Sequence, residues 1–473
     1  MTLRTAPPRT LRPGRRTAAT ALLTAAACTS LAAAPAQAVT APVTRTAGTI
    51  NGANWVAEVP ANWGGTVLLW NHGIRLPTST DRSAETSPMG TDGSAAAALL
   101  AKGYALLGSS YRSQGFAVRD AVNDDLALLT AFKRTHPATR RTIVWGDSLG
   151  GLITETLAEE HPSLFVGAAP GCGVLAGALP IADQTLDTAL MVKAILLPSL
   201  KVGGYTTDAD AAAAATKVKD GILALLGNPA SSTGAAGRVL AIATLQGLPY
   251  KTDLYNGVAT PSLVGAAAQG VITQASAAIL NYRDSVKKSG GQVAQNATTS
   301  YRAKANAEAV ARFVSIGLPG SLLRSYALTI DSRVQRVTAS TTARAAARLN
   351  GAPTGNVVIP VVTMHTEFDP FVTAGNEALF ATRVAAAGKT AKVLQLFVKP
   401  PTYADRSATS AGAPYGAGHC VFTRGQWVAQ LATLESFIAA KSKPASSTVS
   451  TIWGSTPGLD LGFRPLTWTS TLR

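Results

Sequence analysis

Cysteine is scarce in this chain: three in 473 residues, with no zinc-ligand spacing among them. Histidine is almost as scarce, at five, so any catalytic imidazole must come from a very short set. Aromatic residues make up 6% and charged residues 14%. The basic residues are scattered and few aromatics lie among them, which argues for a solvated basic surface and against a nucleic-acid partner. No glycine-rich phosphate loop is present. Beyond residue 38 no run reads as long and apolar enough to cross a membrane, so no membrane insertion is expected of the mature chain. Acids are in deficit, 26 against 42 basic residues, for a formal net charge of +16.

The first 38 residues read as a removable leader. Arg4, Arg9, Arg12, Arg15 and Arg16 give a positive start, residues 18–34 are small and apolar, and Ala36-Gln37-Ala38 is an A-x-A cleavage signal. The expected destination is outside the cell. Arg15-Arg16 hints at the twin-arginine route, but the small residues after it leave general or twin-arginine export open. Cys28 reads as a chance residue of the leader, since no leucine stands three positions before it. Cleavage removes five arginines and no acid, leaving +11. It also leaves two cysteines, Cys172 and Cys420, which are expected to pair in an oxidising compartment.

The most informative segment is 142–151, Thr-Ile-Val-Trp-Gly-Asp-Ser-Leu-Gly-Gly. A short apolar strand pattern runs straight into Gly-x-Ser-x-Gly, and a helical pattern follows at 152–160. Gly146 and Gly150 flank Ser148 because a sharp turn leaves no room for a Cβ there. Such a turn holds a serine hydroxyl out where a carbonyl can reach it.

Around this segment short apolar strands alternate with longer helices. Residues 39–60 read as an N-terminal hairpin. Strands are expected at 66–70, 104–109, 143–145 and 164–169, with helices at 95–102 and 120–134. That alternation implies an α/β protein with a mostly parallel sheet covered on both faces. Near Cys172 it stops. Residues 175–352 are alanine-rich and helical, with helices expected at 211–226, 303–316 and 341–349. Strands resume at 357–364 and 391–398, and a last helix is expected at 424–441. The expected organisation is a leader (1–38), a first core segment (39–174), a helical cap or lid (175–352), a second core segment (353–441) and a tail (442–473). Trp453, Phe463 and Trp468 should pack that tail on the core.

A serine hydroxyl needs a base to act as a nucleophile. His136 lies in a Lys-Arg-Thr-His-Pro turn and reads as solvated. His161 reads as a cation at a helix C-terminus. His365 ends a strand and reads as a satisfied core residue. His72 precedes Gly73 at a strand end and suits an oxyanion loop. His419, in the glycine-rich Tyr-Gly-Ala-Gly-His-Cys run at 415–420, remains as the base. Its orienting carboxylate is expected to be Asp369, after the 357–364 strand, with Glu367 as the runner-up and Phe371-Val372 starting the next helix. Asp147 reads as structural, bonded to nearby backbone amides.

The order Ser148, Asp369, His419, with Asn71-His72-Gly73, Gly103-Tyr104-Ala105 and the elbow, resembles the α/β-hydrolase superfamily in its secreted bacterial serine esterase and peptidase branches. The resemblance covers most of 50–175 and 355–440. It implies an α/β-hydrolase fold with a large helical cap, an oxyanion hole from the Ile74 and Leu149 amides, and no metal or organic cofactor. Tannase and feruloyl esterase types carry a cysteine beside the serine and one after the histidine. Cys420 matches, but position 147 is Asp. The expected activity is ester hydrolysis on a small-molecule or polymeric acyl substrate. The alternatives are an exopeptidase using a cap carboxylate (Asp187, Asp208 or Asp210), a polyester depolymerase, and a non-catalytic binding protein of the same fold.

Overall fold

In the computed structural model, residues 42–252, 255, 257–399 and 418–468 are described. The leader at 1–38 and residues 415–417 before His419 lie outside them. Asn51 and Gly52 both take positive φ, 53° and 85°, the backbone a tight hairpin turn needs. They join strands β1 (Val43–Ile50) and β2 (Ala53–Pro60) antiparallel. The remaining strands are β3 (Thr66–Asn71), β4 (Tyr104–Ser109), β5 (Arg141–Asp147), β6 (Gly167–Gly171), β7 (Val361–Thr366) and β8 (Val393–Val398).

These eight form one sheet in the order β1-β2-β4-β3-β5-β6-β7-β8. The pairs β1/β2 and β2/β4 are antiparallel and all others parallel. This is the α/β-hydrolase arrangement, with the order reversing about β3 and β4. A two-stranded ribbon, Met89–Gly90 with Gly93–Ser94, lies outside it.

The central strands are apolar on both faces because both faces are covered. Helix α1 (Ala96–Ala101) precedes β4. In β3, Val67 and Leu69 pack with α2 (Val118–Thr135) and α3 (Leu149–Glu160). Leu68 and Trp70 face the other way, towards Trp427, Leu431 and Phe437 of the helix at Arg424–Ala440. This is the two-residue alternation of a strand between two helical layers.

Between β6 and β7 the chain leaves the sheet, and its described elements there are all helices. They are α4 (Ala178–Ile195), α5 (Asp208–Gly227), α6 (Ser232–Leu245), α7 (Thr260–Leu280), α8 (Tyr282–Ser289), α9 (Tyr301–Lys304), α10 (Ala307–Ser315), α11 (Gly320–Arg333) and α12 (Thr341–Arg348). Helices α4–α7 and α9–α11 share a hydrophobic core of their own, including Leu190, Val239, Val271 and Phe313, while Ala343 and Ala347 of α12 pack on Leu179 and Val293. Helix α7 corrects one expectation: by length and composition it is apolar enough to cross a membrane. Its Ala267, Val271 and Ile279 are buried in that helical core, against α4, α5 and α6.

Four boundaries also differ from expectation. The strand expected at 164–169 is β6 (Gly167–Gly171), and Pro162–Leu164 is a short 3-10 helix before it. Strand β7 starts at Val361, not 357, because Pro360 has no N–H for the ladder; its carbonyl instead accepts from Ala168 N–H just before the strand. Phe371 and Val372 lie in a turn, and α13 begins later (Gly375–Ala386). The helical run at 303–316 is two helices, α9 and α10. The last helices are α14 (Arg424–Ala440) and α15 (Ser446–Trp453). In the tail, Trp453 is buried against α14's side of the sheet, and Phe463 meets Phe397 and Phe368.

Candidate active site

Strand β5 ends at Asp147 and α3 begins at Leu149, so Ser148 forms the whole turn. Its φ of 54° and ψ of −120° are costly for a residue with a Cβ. The two glycines make the turn possible. A Cβ at Gly150 would stand 2.0 Å from the Asn71 carbonyl oxygen, and one at Gly146 2.6 Å from the same atom.

The serine, histidine and aspartate singled out in the sequence come together here. His419 Nε2 lies 2.7 Å from Ser148 Oγ, and His419 Nδ1 lies 2.8 Å from Asp369 Oδ2. The other Asp369 oxygen accepts the backbone N–H groups of Phe371 (2.8 Å) and Val372 (2.9 Å). The carboxylate is thus aimed by the turn that follows it, as an N-capping residue is, while serving the imidazole with its free oxygen. Asp369 is buried, and the His419 side chain is 24% exposed. Glu367, the other candidate acid, sits beside Asp460; burial and that neighbour push it up to about 7.

A disulfide joins Cys172 to Cys420, with Cα atoms 5.4 Å apart. The Cys420 sulfur is 3.6 Å from His419 Nε2. The one group of three close His, Cys, Asp or Glu donors among the described residues is Cys172, His419 and Cys420. Its sulfurs are already bonded to each other.

His365 has more to do than fill the core. Its Nε2 lies 2.7 Å from the Val372 carbonyl oxygen, its Nδ1 3.4 Å from Glu377 Oε1, and Asp369 Oδ2 is 3.8 Å away. Burial disfavours the charged ring, but Glu377 and Asp369 outweigh it and its pKa is raised. Glu377 is itself tied to Thr363 Oγ1 and Gln395 Nε2. Sequence reading missed this layer behind Asp369. The one available signal was a histidine four residues before the acid.

His72 stacks on Tyr111 with ring centroids 4.1 Å apart, and Tyr111 donates to the His72 carbonyl at 3.2 Å. Burial first, then Arg75, lowers the His72 pKa. The backbone of the His72-Gly73-Ile74 turn meets the elbow. A Cβ on Gly73 would be 3.2 Å from Ser148 Cβ. Asp147 is only partly satisfied: its Oδ1 has no well-formed hydrogen bond among the described residues, while the backbone of Gly73 and of Asp147 itself still favours the charged carboxylate, as expected. Burial pushes its pKa up to about 7, against the pull of His419.

Ser148, Ile74 and Leu149 line one cavity of about 140 Å³, roofed by α4, α7 and α8. Among the described residues, no carboxylate lines it. The three cap acids considered for an amine are engaged elsewhere. Asp187 accepts from Tyr301 Oη (2.8 Å) and pairs with buried Lys304 (3.1 Å). Asp208 pairs with Arg283, and Asp210 accepts from Thr206.

No family model matches the chain, and no curated protein matches it in sequence. Solved structures do resemble it. Feruloyl esterase B from Aspergillus oryzae shows a TM-score of 0.42 at 13% identity, over 86% of this chain and 84% of that one. A point mutant of the rice cell wall degrading esterase LipA from Xanthomonas oryzae shows 0.36 at 15%, over 81% and 86%. The acylaminoacyl peptidase of Pyrococcus horikoshii shows 0.38 at 12%, over 88% of this chain and 45% of that one.

Proposed function

We propose that this protein is a serine hydrolase that cleaves carboxylic esters through an acyl-enzyme. The observation that carries the reading is the unbroken relay from Ser148 Oγ through His419 to Asp369, at 2.7 and 2.8 Å. Ser148 Oγ attacks the ester carbonyl carbon as its proton passes to His419 Nε2. Asp369 holds Nδ1–H and stabilises the imidazolium. The Ile74 and Leu149 amides receive the oxyanion, a donor set worth about 10²–10³ in rate per lost member. His419 then gives its proton to the leaving alkoxide, and the C–O bond breaks. Water, deprotonated by the same nitrogen, attacks the acyl-enzyme, and the acid leaves as Ser148 is reprotonated. No step needs an external oxidant or reductant.

Ester is preferred to aminoacyl substrate because an exopeptidase must neutralise the substrate ammonium, and among the described residues no carboxylate lines the cavity. The paired states of Asp187 and Asp208 support the same choice. Export belongs to this reading: the leader pattern and the Cys172–Cys420 bridge both suit an oxidising compartment. Sequencing the secreted protein should give Val39 as its first residue. The activity is tested by turnover of p-nitrophenyl butyrate against alanyl and leucyl p-nitroanilides. Ester turnover that exceeds anilide turnover by orders of magnitude is expected; anilides turned over as fast as esters contradict it.

A further inference from the structure

The cavity beside Ser148 has two properties that bear on what it holds. First, its position is one-sided. It is bordered by Ser148, Ile74 and Leu149 but not by His419. Phe371 forms the wall between them, with its ring 5.1 Å from the His419 ring, centroid to centroid, and edge-on to it. A leaving alkoxide must lie within reach of the proton on His419 Nε2. A cavity on the oxyanion side, screened from that nitrogen, therefore lies on the acyl side of the scissile bond.

Second, its size and chemistry are narrow. Ala178 and Ala182 of α4 face Ala277 and Ala278 of α7 across it, so the space comes from missing side-chain volume on two facing helices. The one charged lining residue among those described, Lys288, is already engaged. It pairs with Asp284 at 2.9 Å and donates to the Gln114 carbonyl. Asp284 in turn accepts the Phe116 N–H at 3.1 Å. A charged acyl group would thus find no free counter-charge there. The volume of about 140 Å³ is close to that of an apolar cavity known to hold benzene, about 150 Å³.

We propose that this is the acyl pocket and that it selects an uncharged, apolar acyl group of about six carbons. The inference rests on the hydrolase reading and adds the substrate's acyl class to it. Each methylene that enters the pocket should raise kcat/KM about fourfold, the factor expected for burying one methylene in the transition state.

The experiment is a series of p-nitrophenyl esters from acetate to dodecanoate, assayed on the mature chain below any micelle concentration. kcat/KM is expected to rise by about 10² from acetate to hexanoate and to gain nothing beyond octanoate. The 6-aminohexanoate ester should be turned over about 10²-fold less well than the hexanoate. In A182F and A278F the ratio of hexanoate to acetate turnover should fall about tenfold, with the fold checked by circular dichroism. If either variant fails to fold, the wild-type series and the amino analogue still decide. A flat series, a preference for dodecanoate, or an unmoved ratio in both folded variants overturns the pocket. Its failure is separable from that of the hydrolase reading. A protein that turns over acetate and takes up a fluorophosphonate on Ser148, yet shows a flat series, loses only the pocket; one that does neither loses both.

Discussion

Cys172 and Cys420 are bonded although 248 positions separate them in sequence, and each adjoins the reacting groups. Cys172 follows β6 and donates its N–H to the Met364 carbonyl at 2.7 Å, while Cys420 directly follows His419. The bridge therefore fixes the histidine loop to the top of the same sheet that carries Ser148. Closing so long a loop stabilises by about 5 kcal/mol in the chain-entropy treatment. In C172S/C420S we expect a lower Tm and a kcat reduced about tenfold or more, since small displacements of a catalytic group are costly. Thermal melts and ester kinetics check this; a double variant equal to the wild type in both contradicts it.

Asp369 divides its two oxygens between backbone amides and His419. Asn at this position keeps one oxygen for the amides but loses the charge that orients the imidazole. D369N should lose about 10³–10⁴ in kcat with little change in KM. E367Q should stay near wild type, because Glu367 faces Asp460. Reversed effects in these two variants would assign the acid to the wrong residue.

Asp147 gives a pH test with a definite sign. Its pKa is pushed up to about 7 by burial, from an ordinary value of 3.8. Between those two values the folded protein holds a proton that the unfolded chain has lost, so stability falls as pH rises through that window. The benefit of the neutral form is complete below about 4 and gone above the folded value. D147N removes this titration. The Tm difference, D147N minus wild type, should therefore increase from pH 4 to pH 8. Glu367, raised to about 7, and Asp183, raised to about 6, act in the same direction but cancel in the difference. A difference that stays constant with pH contradicts the assignment.

His365 is a positioning residue. It holds the Val372 carbonyl, and Val372 N–H holds Asp369. Burial disfavours a charged ring here, but the flanking Glu377 and Asp369 carboxylates raise its pKa. H365N keeps a donor for the Val372 carbonyl but loosens the turn that aims Asp369. It should lower kcat modestly and leave KM unchanged, because substrate binding does not involve this turn. Ester kinetics check this; an unchanged kcat, or a change confined to KM, contradicts it.

The sheet and the elbow were legible because their signals are local. Residues 143–145 and 66–70 are apolar on both faces, and glycines stand two positions either side of Ser148. His419 was reachable because only five histidines exist. What escaped depends on partners far away in sequence. Asp187 looked available for an amine until Lys304 and Tyr301 of α9 were brought against it, with α11 packed on both α4 and α9. Glu377 reaches His365 only because α13 folds back over β7. The burial that raises the Asp147 pKa could not be read from the sequence, since it follows from what surrounds the sheet top. The start of β7 was misjudged by four residues because apolar residues continue on both sides of Pro360, and the ladder begins only where N–H groups are available.

The most direct measurement is intact-protein and peptide mass spectrometry after brief exposure of the folded, mature chain to a fluorophosphonate. The account predicts one adduct per chain, on Ser148, absent in S148A and strongly slowed in H419A. No adduct on the folded protein, or an adduct on a different residue, would contradict it.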